Sequence, residues 1–228
     1  MGYQYTYLLM GLVFFIIWLS LFIWRKNTRK EMVIMSLLSG LSGPIGDILY
    51  TKDWWNPLTL TNTAIGFEAV LAGFMIGGIG SVIYVDLFKK RLKPLKNHKT
   101  DEARKNFNLI SILITIAVLF FGSFYLLNLN SLWATILALF VPTAIIWIKR
   151  KDLVLDSLVT GILLVIVAFF VYSVLELLTP GWVHVFWLFK NVPEIIIFNL
   201  PIDDMIWYFF AGLFAGPIYE YWQESKLV

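Results

Sequence analysis

The chain has no cysteine among its 228 residues, and it has only two histidines. The absence of cysteine excludes disulfides, thiolate nucleophiles and Cys-ligated metal sites. No glycine-rich turn follows a predicted strand, which excludes the usual flavin and nicotinamide folds. We therefore expect neither a metal nor an organic cofactor.

Charge is also scarce, since 14% of the residues are charged and 59% are hydrophobic, whereas roughly a quarter of the residues of a soluble domain are charged. Several apolar runs reach the roughly 20 residues that cross a bilayer. The sequence thus predicts an all-α, polytopic membrane helical bundle whose first span is retained rather than cleaved as a signal peptide. The net charge of +3 does not indicate nucleic-acid binding. Every basic residue falls in a loop or tail, a distribution that the positive-inside bias of membrane proteins explains.

We predict seven spans, which cover residues 7–24, 32–49, 65–88, 107–127, 132–148, 157–178 and 203–222. Sixteen of the 18 basic residues fall on one side of this arrangement, and only Lys52 and Lys190 fall on the other. The positive-inside bias then places the N-terminus outside and the C-terminus in the cytoplasm of a cell-membrane protein. The small residues and Pro44 in residues 39–47 predict an irregular second span.

Two segments of the chain are similar at an offset of 135 residues, which superposes Glu68 on Asp203 and Gly77 on Gly212. Repeated halves are typical of membrane proteins whose site lies between them. The fourth span, as a connector, would give two parallel three-helix halves. We predict a first half at 1–92, a linker and connector at 93–130, and a second half at 131–228.

Carboxyl groups within spans are costly and are functional candidates by default. The candidates, all near the outer ends of their spans, are Asp47, Glu68, Glu176, Asp203 and Asp204. Helix capping is the alternative for the acidic residues of a first turn, and Pro201 before Asp203 favours it. Recurrence of the acid in both halves favours a site instead. Asp86, Asp156 and Glu220, at the cytoplasmic ends, are expected to be solvated.

Aromatic residues lie close to these acids along the third and seventh spans, namely Phe67, Phe74, Trp207 and Tyr208. Such residues commonly pack or face lipid, and tryptophans in the outer loops suit the interfacial belt. Ring faces also stabilise a cation, and a low-dielectric medium favours a protonated carboxyl group that can donate its proton. We therefore predict that these four aromatic residues, with Glu176 and Asp47, bind a substrate that reacts through a carbocation.

The motif Pro201-Ile202-Asp203-Asp204 resembles the Pro-x-Glu-Glu/Asp pattern of the small membrane-bound lycopene cyclases of bacteria and archaea, including their heterodimeric and fused forms. An aromatic helix ending at 216–220 continues the resemblance, and Glu68 occupies the corresponding place in the first half. The resemblance implies redox-neutral cyclisation of the ends of lycopene or a similar carotenoid, with Glu68, Asp203 and Asp204 as catalytic residues. In the first half, Gly66 replaces the proline and Ala69 replaces the second acid.

Three other classes of membrane protein are alternatives to a cyclase. A retinal photoreceptor needs a lysine in its last helix, and residues 203–222 contain none. A small transporter would also have parallel repeats and membrane carboxyl groups, although carriers bind near the midplane. A non-catalytic carotenoid-binding protein is the third alternative. In each case the partners are the bilayer and an apolar ligand, and a homo-oligomer is compatible with the sequence.

Overall fold

The computed structural model describes residues 2–63, 65–95, 102–190, 192–198 and 200–228. Residues 96–101 of the predicted linker lie outside the described residues. Helices dominate the described part and confirm the predicted all-α fold. They are α1 (Thr6–Trp24), α2 (Arg29–Asp53), α3 (Phe67–Leu87), α4 (Glu102–Leu126), α5 (Ser131–Lys149), α6 (Val154–Leu178), α7 (Trp182–Phe186) and α8 (Ile202–Gln223).

Six of the helices in the described ranges, α1 to α6, are long and apolar enough to cross a membrane. The chain is therefore a multi-pass membrane protein. Helix α8 has 22 residues but does not belong to this set. Its carboxyl groups, Asp203, Asp204 and Glu220, lower its hydropathy, and all three are buried inside the bundle. A bundle of seven equivalent spans is thus not confirmed.

Helix α2 is continuous from Arg29 to Asp53, so the prediction of an irregular second span was wrong. Pro44 lies inside this helix and removes one backbone donor. Neighbouring helices can support a membrane helix at such a position, and α2 packs along α3 more extensively than any other two helices pack. Tertiary packing therefore overrides the local tendency of Pro44 to break the helix.

Glycines bring two pairs of helices into close contact, α2 with α3 and α6 with α8. A Cβ atom added to Gly73 would lie 2.5 Å from the carbonyl oxygen of Ser39, and one added to Gly212 would lie 2.6 Å from the Cα atom of Gly161. Small residues at such interfaces let membrane helices approach at backbone distance. These pairs carry the acidic residues of the candidate site, so their spacing fixes the site.

Short antiparallel ribbons close both ends of the bundle. β1 (Leu92–Pro94) pairs with β4 (Ser225–Leu227) and joins the segment after α3 to the C-terminal tail. β2 (Ile196–Ile197) pairs with β3 (Leu200–Pro201), which leads directly into α8. The second ribbon sets the position at which Asp203 and Asp204 enter the bundle.

Candidate functional site

An apolar cavity of about 540 Å³ lies inside the bundle, and side chains from all the long helices line it. This volume falls within the roughly 300–1,000 Å³ of typical small-molecule sites. Along α2 the lining runs from Met35 to Tyr50, which corresponds to roughly 22 Å at the helical rise per residue. The cavity is therefore long enough for an extended ligand.

The cavity opens sideways between α2 and α4. Leu41 on α2 and Leu113 on α4 line the cavity and are also exposed on the outer surface. Helix α4 packs chiefly on α5, and its contact with α2 includes the edge-to-face pair of Tyr50 and Phe120, with ring centroids 5.9 Å apart. A ligand dissolved in the bilayer could reach the cavity through this opening.

Two of the five predicted acidic residues line the cavity, Asp47 on α2 and Asp204 on α8. They are 3% and 5% exposed. Each accepts a hydrogen bond from a tyrosine of another helix: Tyr7 Oη donates to Asp47 Oδ2 at 3.4 Å, and Tyr172 Oη donates to Asp204 Oδ2. We call the end of the bundle that holds these groups the site end.

Asp203 is buried beside Asp204, but it does not line the cavity. Its Oδ2 accepts a hydrogen bond of 2.7 Å from Trp54 Nε1, and its Oδ1 accepts one of 2.9 Å from the backbone N–H of Asp204. Adjacent helical residues point about 100° apart, so the two carboxyl groups take different directions. Asp203 ties the start of α8 to the end of α2.

Glu68 is likewise buried and lies outside the cavity lining. Its Oε1 accepts a hydrogen bond of 2.8 Å from the backbone N–H of Leu60, in the loop that precedes α3. Glu68 therefore stabilises a loop, and the next residue, Ala69, is the one that lines the cavity.

Trp207 and Tyr208 form part of the cavity wall next to Asp204. Trp207 Nε1 donates to Tyr50 Oη at 3.2 Å, and the rings of Tyr172 and Tyr208 meet edge to face with centroids 6.2 Å apart. Aromatic faces at this position can stabilise a positive charge on a bound ligand. Two of the four aromatic residues predicted to bind a substrate, Trp207 and Tyr208, thus line the cavity.

Three other predicted site residues lie away from the cavity lining. Phe67 is 67% exposed, and Phe74 packs on Trp18 with ring centroids 5.6 Å apart. Glu176 Oε1 accepts a hydrogen bond of 2.9 Å from the backbone N–H of Gly181, just after α6. In this arrangement the side chains of these three residues do not face the space between Asp47 and Asp204.

The tyrosine and tryptophan donors to the carboxyl groups were not predicted from the sequence. Tyr7 and Tyr172 lie inside apolar runs, where a single tyrosine gives no signal of its partner. Trp54 was assigned to the interfacial belt, yet it is 2% exposed and donates to a carboxyl group 149 positions away.

Two loops pack on each other and close the site end. Leu188 N–H donates to the carbonyl of Trp54 at 2.9 Å, and Asn56 N–H donates to the carbonyl of Phe186 at 2.8 Å. Trp187, also predicted for the interfacial belt, is buried in this contact. The closure limits access of water to the carboxyl groups from this end.

A second group of carboxyl residues is buried at the opposite end of the bundle. Glu31, Asp86, Asp156 and Glu220 are all fully or almost fully buried, so the prediction that the last three are solvated was wrong. The ends of α2, α3, α6 and α8 converge there and cover them. Asp86 lies 3.9 Å from Arg25, whereas neither oxygen of Glu31 or Glu220 has a hydrogen-bond partner among the residues that the structure describes.

Among the described residues, no group of three or more histidines and carboxylates could hold a metal ion. Both carboxyl groups of the cavity instead have tyrosine hydroxyls and aromatic rings around them. The arrangement suits proton transfer to and from an apolar ligand.

These features define a multi-pass membrane protein with a carboxyl-bearing cavity that is open to lipid. Residues 130–222, which contain α5 to α8, match the family model described as lycopene cyclase. The resemblance to that family is thereby confirmed over residues 130–222, which make up less than half of the chain. No curated protein and no solved structure matches the chain.

Proposed function

We propose that this protein is an integral membrane carotenoid cyclase that closes the open ends of lycopene or a similar polyene into ionone rings. In reaction class it would be an isomerase, acting as an intramolecular lyase. The observation that carries the proposal is the cavity, in which the carboxyl group of Asp204 is buried beside Trp207 and Tyr208. The family match over residues 130–222 supports the same activity.

The shape of the cavity favours a long apolar substrate. Its lining extends roughly 22 Å along α2, by the helical rise per residue, and the carboxyl groups lie toward one end of it. A linear polyene that enters from the bilayer between α2 and α4 would bring one end to Asp204. The remainder of the chain would lie along the apolar wall.

The chemistry requires one proton to be given and one to be taken. Protonated Asp204 would donate to the terminal double bond of the polyene and leave a cation, which the neighbouring double bond attacks to form the ring. Tyr172 would stabilise the resulting carboxylate through its hydrogen bond. The rings of Trp207 and Tyr208 would stabilise the cation and keep water away from it.

We further infer that the chain consists of two related halves, 1–92 and 131–228, with α4 as the connector. Helices α1 and α5 both have 19 residues, and α2 and α6 both have 25. Equal lengths in the same order support the internal repeat. The distribution of basic residues supports an N-terminus outside the cell and a C-terminus in the cytoplasm.

Pigment analysis in a host that accumulates lycopene tests the proposed function. The wild-type chain should produce monocyclic or bicyclic carotenoids, and Asp204→Asn should lower their yield by about 10²–10⁴-fold, the usual contribution of general acid–base catalysis. Asp203→Asn and Glu68→Gln should have smaller effects, because neither side chain lines the cavity. Unchanged lycopene with well-expressed wild-type protein, or full activity in all three variants, would refute the proposal.

The buried carboxyl groups at the opposite end favour one alternative, a proton-coupled carrier. The cyclisation steps do not involve Glu31 or Glu220, whose carboxyl oxygens have no hydrogen-bond partner in the described part of the chain, whereas buried acids are typical of proton relays in transporters. Under this alternative the host would retain unchanged lycopene, and Glu220→Gln would alter the distribution of a carotenoid between membranes. A carotenoid-binding protein without activity would retain the pigment bound after purification.

A further inference from the structure

The two halves place different residues at corresponding points of the cavity wall. Helices α2 and α6 have equal lengths, and Asp47 has the same position in α2 that Tyr172 has in α6. The offset between α2 and α6 is 125 residues. The segment before the next long helix is ten residues longer in the second half, so Ala69 on α3 corresponds to Asp204 on α8 at the offset of 135 residues. The counterpart of the hydrogen-bonded pair Tyr172–Asp204 is therefore the pair Asp47–Ala69.

All four of these residues line the cavity, namely Asp47, Ala69, Tyr172 and Asp204. In the second half the carboxyl group belongs to Asp204 on α8, which begins at the site end. In the first half it belongs to Asp47 on α2, which ends there. Each half thus supplies one carboxyl group to the same cavity. The first half has no carboxyl group at Ala69, and Asp47 on the preceding helix α2 supplies one instead.

Helix stability does not explain the placement of Asp47. It lies six residues before the end of α2, so it is outside the first and last turns, where a helix dipole acts on a charge. No basic side chain of the described residues forms an ion pair with it, and its one side-chain partner is Tyr7 Oη at 3.4 Å. An acidic side chain that is buried within a membrane, with one side-chain hydrogen bond and no ion pair among the described residues, indicates a functional role.

Two other acidic side chains of the site end, Glu68 and Asp203, bind groups outside the cavity lining. One oxygen of Glu68 binds the N–H of Leu60, and both oxygens of Asp203 accept hydrogen bonds from Trp54 and Asp204. Neither side chain lines the cavity. Asp47 is consequently the carboxyl group that faces the cavity together with Asp204.

We propose that Asp47 is the second catalytic carboxyl group, which completes a donor–acceptor pair with Asp204; this inference rests on the proposed cyclase function. One of the two acids gives a proton to the terminal double bond, and the adjacent double bond closes the ring by forming a carbon–carbon bond. The other acid, as a carboxylate, removes a proton from a carbon next to the cation, and the electrons of that C–H bond form the new double bond. The product has the formula of the substrate, and no oxidant or reductant is needed.

The inference is tested with purified protein in detergent and lycopene as the substrate. Asp47→Asn should lower the rate of ring formation by about 10²–10⁴-fold, and Asp47→Glu should retain more activity because it keeps a carboxyl group. Asp156→Asn is the matched control, since this aspartate is equally buried but lies at the opposite end. It should retain the wild-type rate.

A rescue variant separates catalysis from folding. The double substitution Asp47→Asn with Ala69→Asp moves the acid to the position that Asp204 has in the other half, and it should regain activity over Asp47→Asn alone. A wild-type rate in folded Asp47→Asn, while Asp204→Asn is inactive, would overturn the inference and leave the cyclase function intact. If Asp47→Asn does not fold, an Asp47→Glu rate no higher than that of Asp204→Asn would overturn it. Failure of the wild-type chain to form rings would instead refute the proposed function itself.

Discussion

Asp203 and Asp204 are neighbours in the sequence, but they have different surroundings. Asp203 binds an indole N–H and a backbone N–H, while Asp204 lines the cavity and accepts from Tyr172. The sequence could predict that a carboxyl pair enters the bundle at α8 and that one member would point elsewhere. It could not predict the partners, because Trp54 and Tyr172 come from other helices and only packing brings them near.

Tyr172→Phe should slow ring formation by about 10- to 100-fold, since a hydrogen bond to a charged group contributes about 1.5–3 kcal/mol. The substitution removes the hydroxyl that binds Asp204 and leaves the buried ring in place. Tyr84→Phe, at a buried tyrosine of the opposite end, is the control and should keep the wild-type rate. Equal rates in the two variants, measured by pigment yield per folded protein, would contradict the assigned role of Tyr172.

Trp54→Phe should destabilise the protein by about 1–3 kcal/mol, because it leaves one oxygen of buried Asp203 without its donor. The measurement is thermal unfolding in detergent. Trp24→Phe, at an exposed tryptophan on α1, provides the control and should leave the transition unchanged. A transition equally unaffected in both variants would show that the bond from Trp54 to Asp203 contributes nothing to stability.

At the scale of the helices, the glycine-mediated pairs α2–α3 and α6–α8 set the geometry of the site. Small residues recur at four-residue spacing on α3 (Gly73 and Gly77) and on α8 (Gly212 and Gly216), a pattern that indicates close helix packing. Local rules were misleading for α2, because Pro44 predicted a break and α3 supports a continuous helix. The contacts of α2 with α3 keep α2 continuous through Pro44, and the sequence of α2 alone does not reveal those contacts.

Gly212→Ala should destabilise the bundle by about 1–3 kcal/mol, the typical cost of overpacking. The added methyl group would meet the backbone of Gly161 on α6, which has no side chain to move aside. Gly122→Ala is the matched control, because no atom lies within 4 Å of the Cβ position there. Thermal unfolding of the two variants side by side distinguishes them, and an equal transition would contradict the close contact of α6 and α8.

For the whole molecule, composition alone predicted a multi-pass helical bundle, and the structure agrees. The burial of Asp86, Asp156 and Glu220 could not be predicted, because each lies at the end of a span, where the sequence indicates contact with water. The convergence of four helix ends covers them. Positions near loops are thus poor guides to exposure when several helices end together.

The predicted orientation places the two termini on opposite sides of the membrane. Because the chain has no cysteine, single cysteines at the exposed positions Gln4 and Lys226 can report it directly. A membrane-impermeant maleimide should label Gln4→Cys in intact cells and Lys226→Cys only after permeabilisation. The cysteine-free wild type controls for background, and the reverse pattern of labelling would contradict the orientation.

The central claim is that buried carboxyl groups add one proton to the polyene and remove another without oxidation or reduction. Mass spectrometry of carotenoid formed from lycopene by the purified protein in D₂O tests this most directly. Because the carboxyl protons exchange with solvent, each ring formed should carry one deuterium in place of one hydrogen, which makes the product about 1 Da heavier than lycopene per ring. Rings that form without deuterium, or lycopene that remains unconverted by folded protein, would contradict the account.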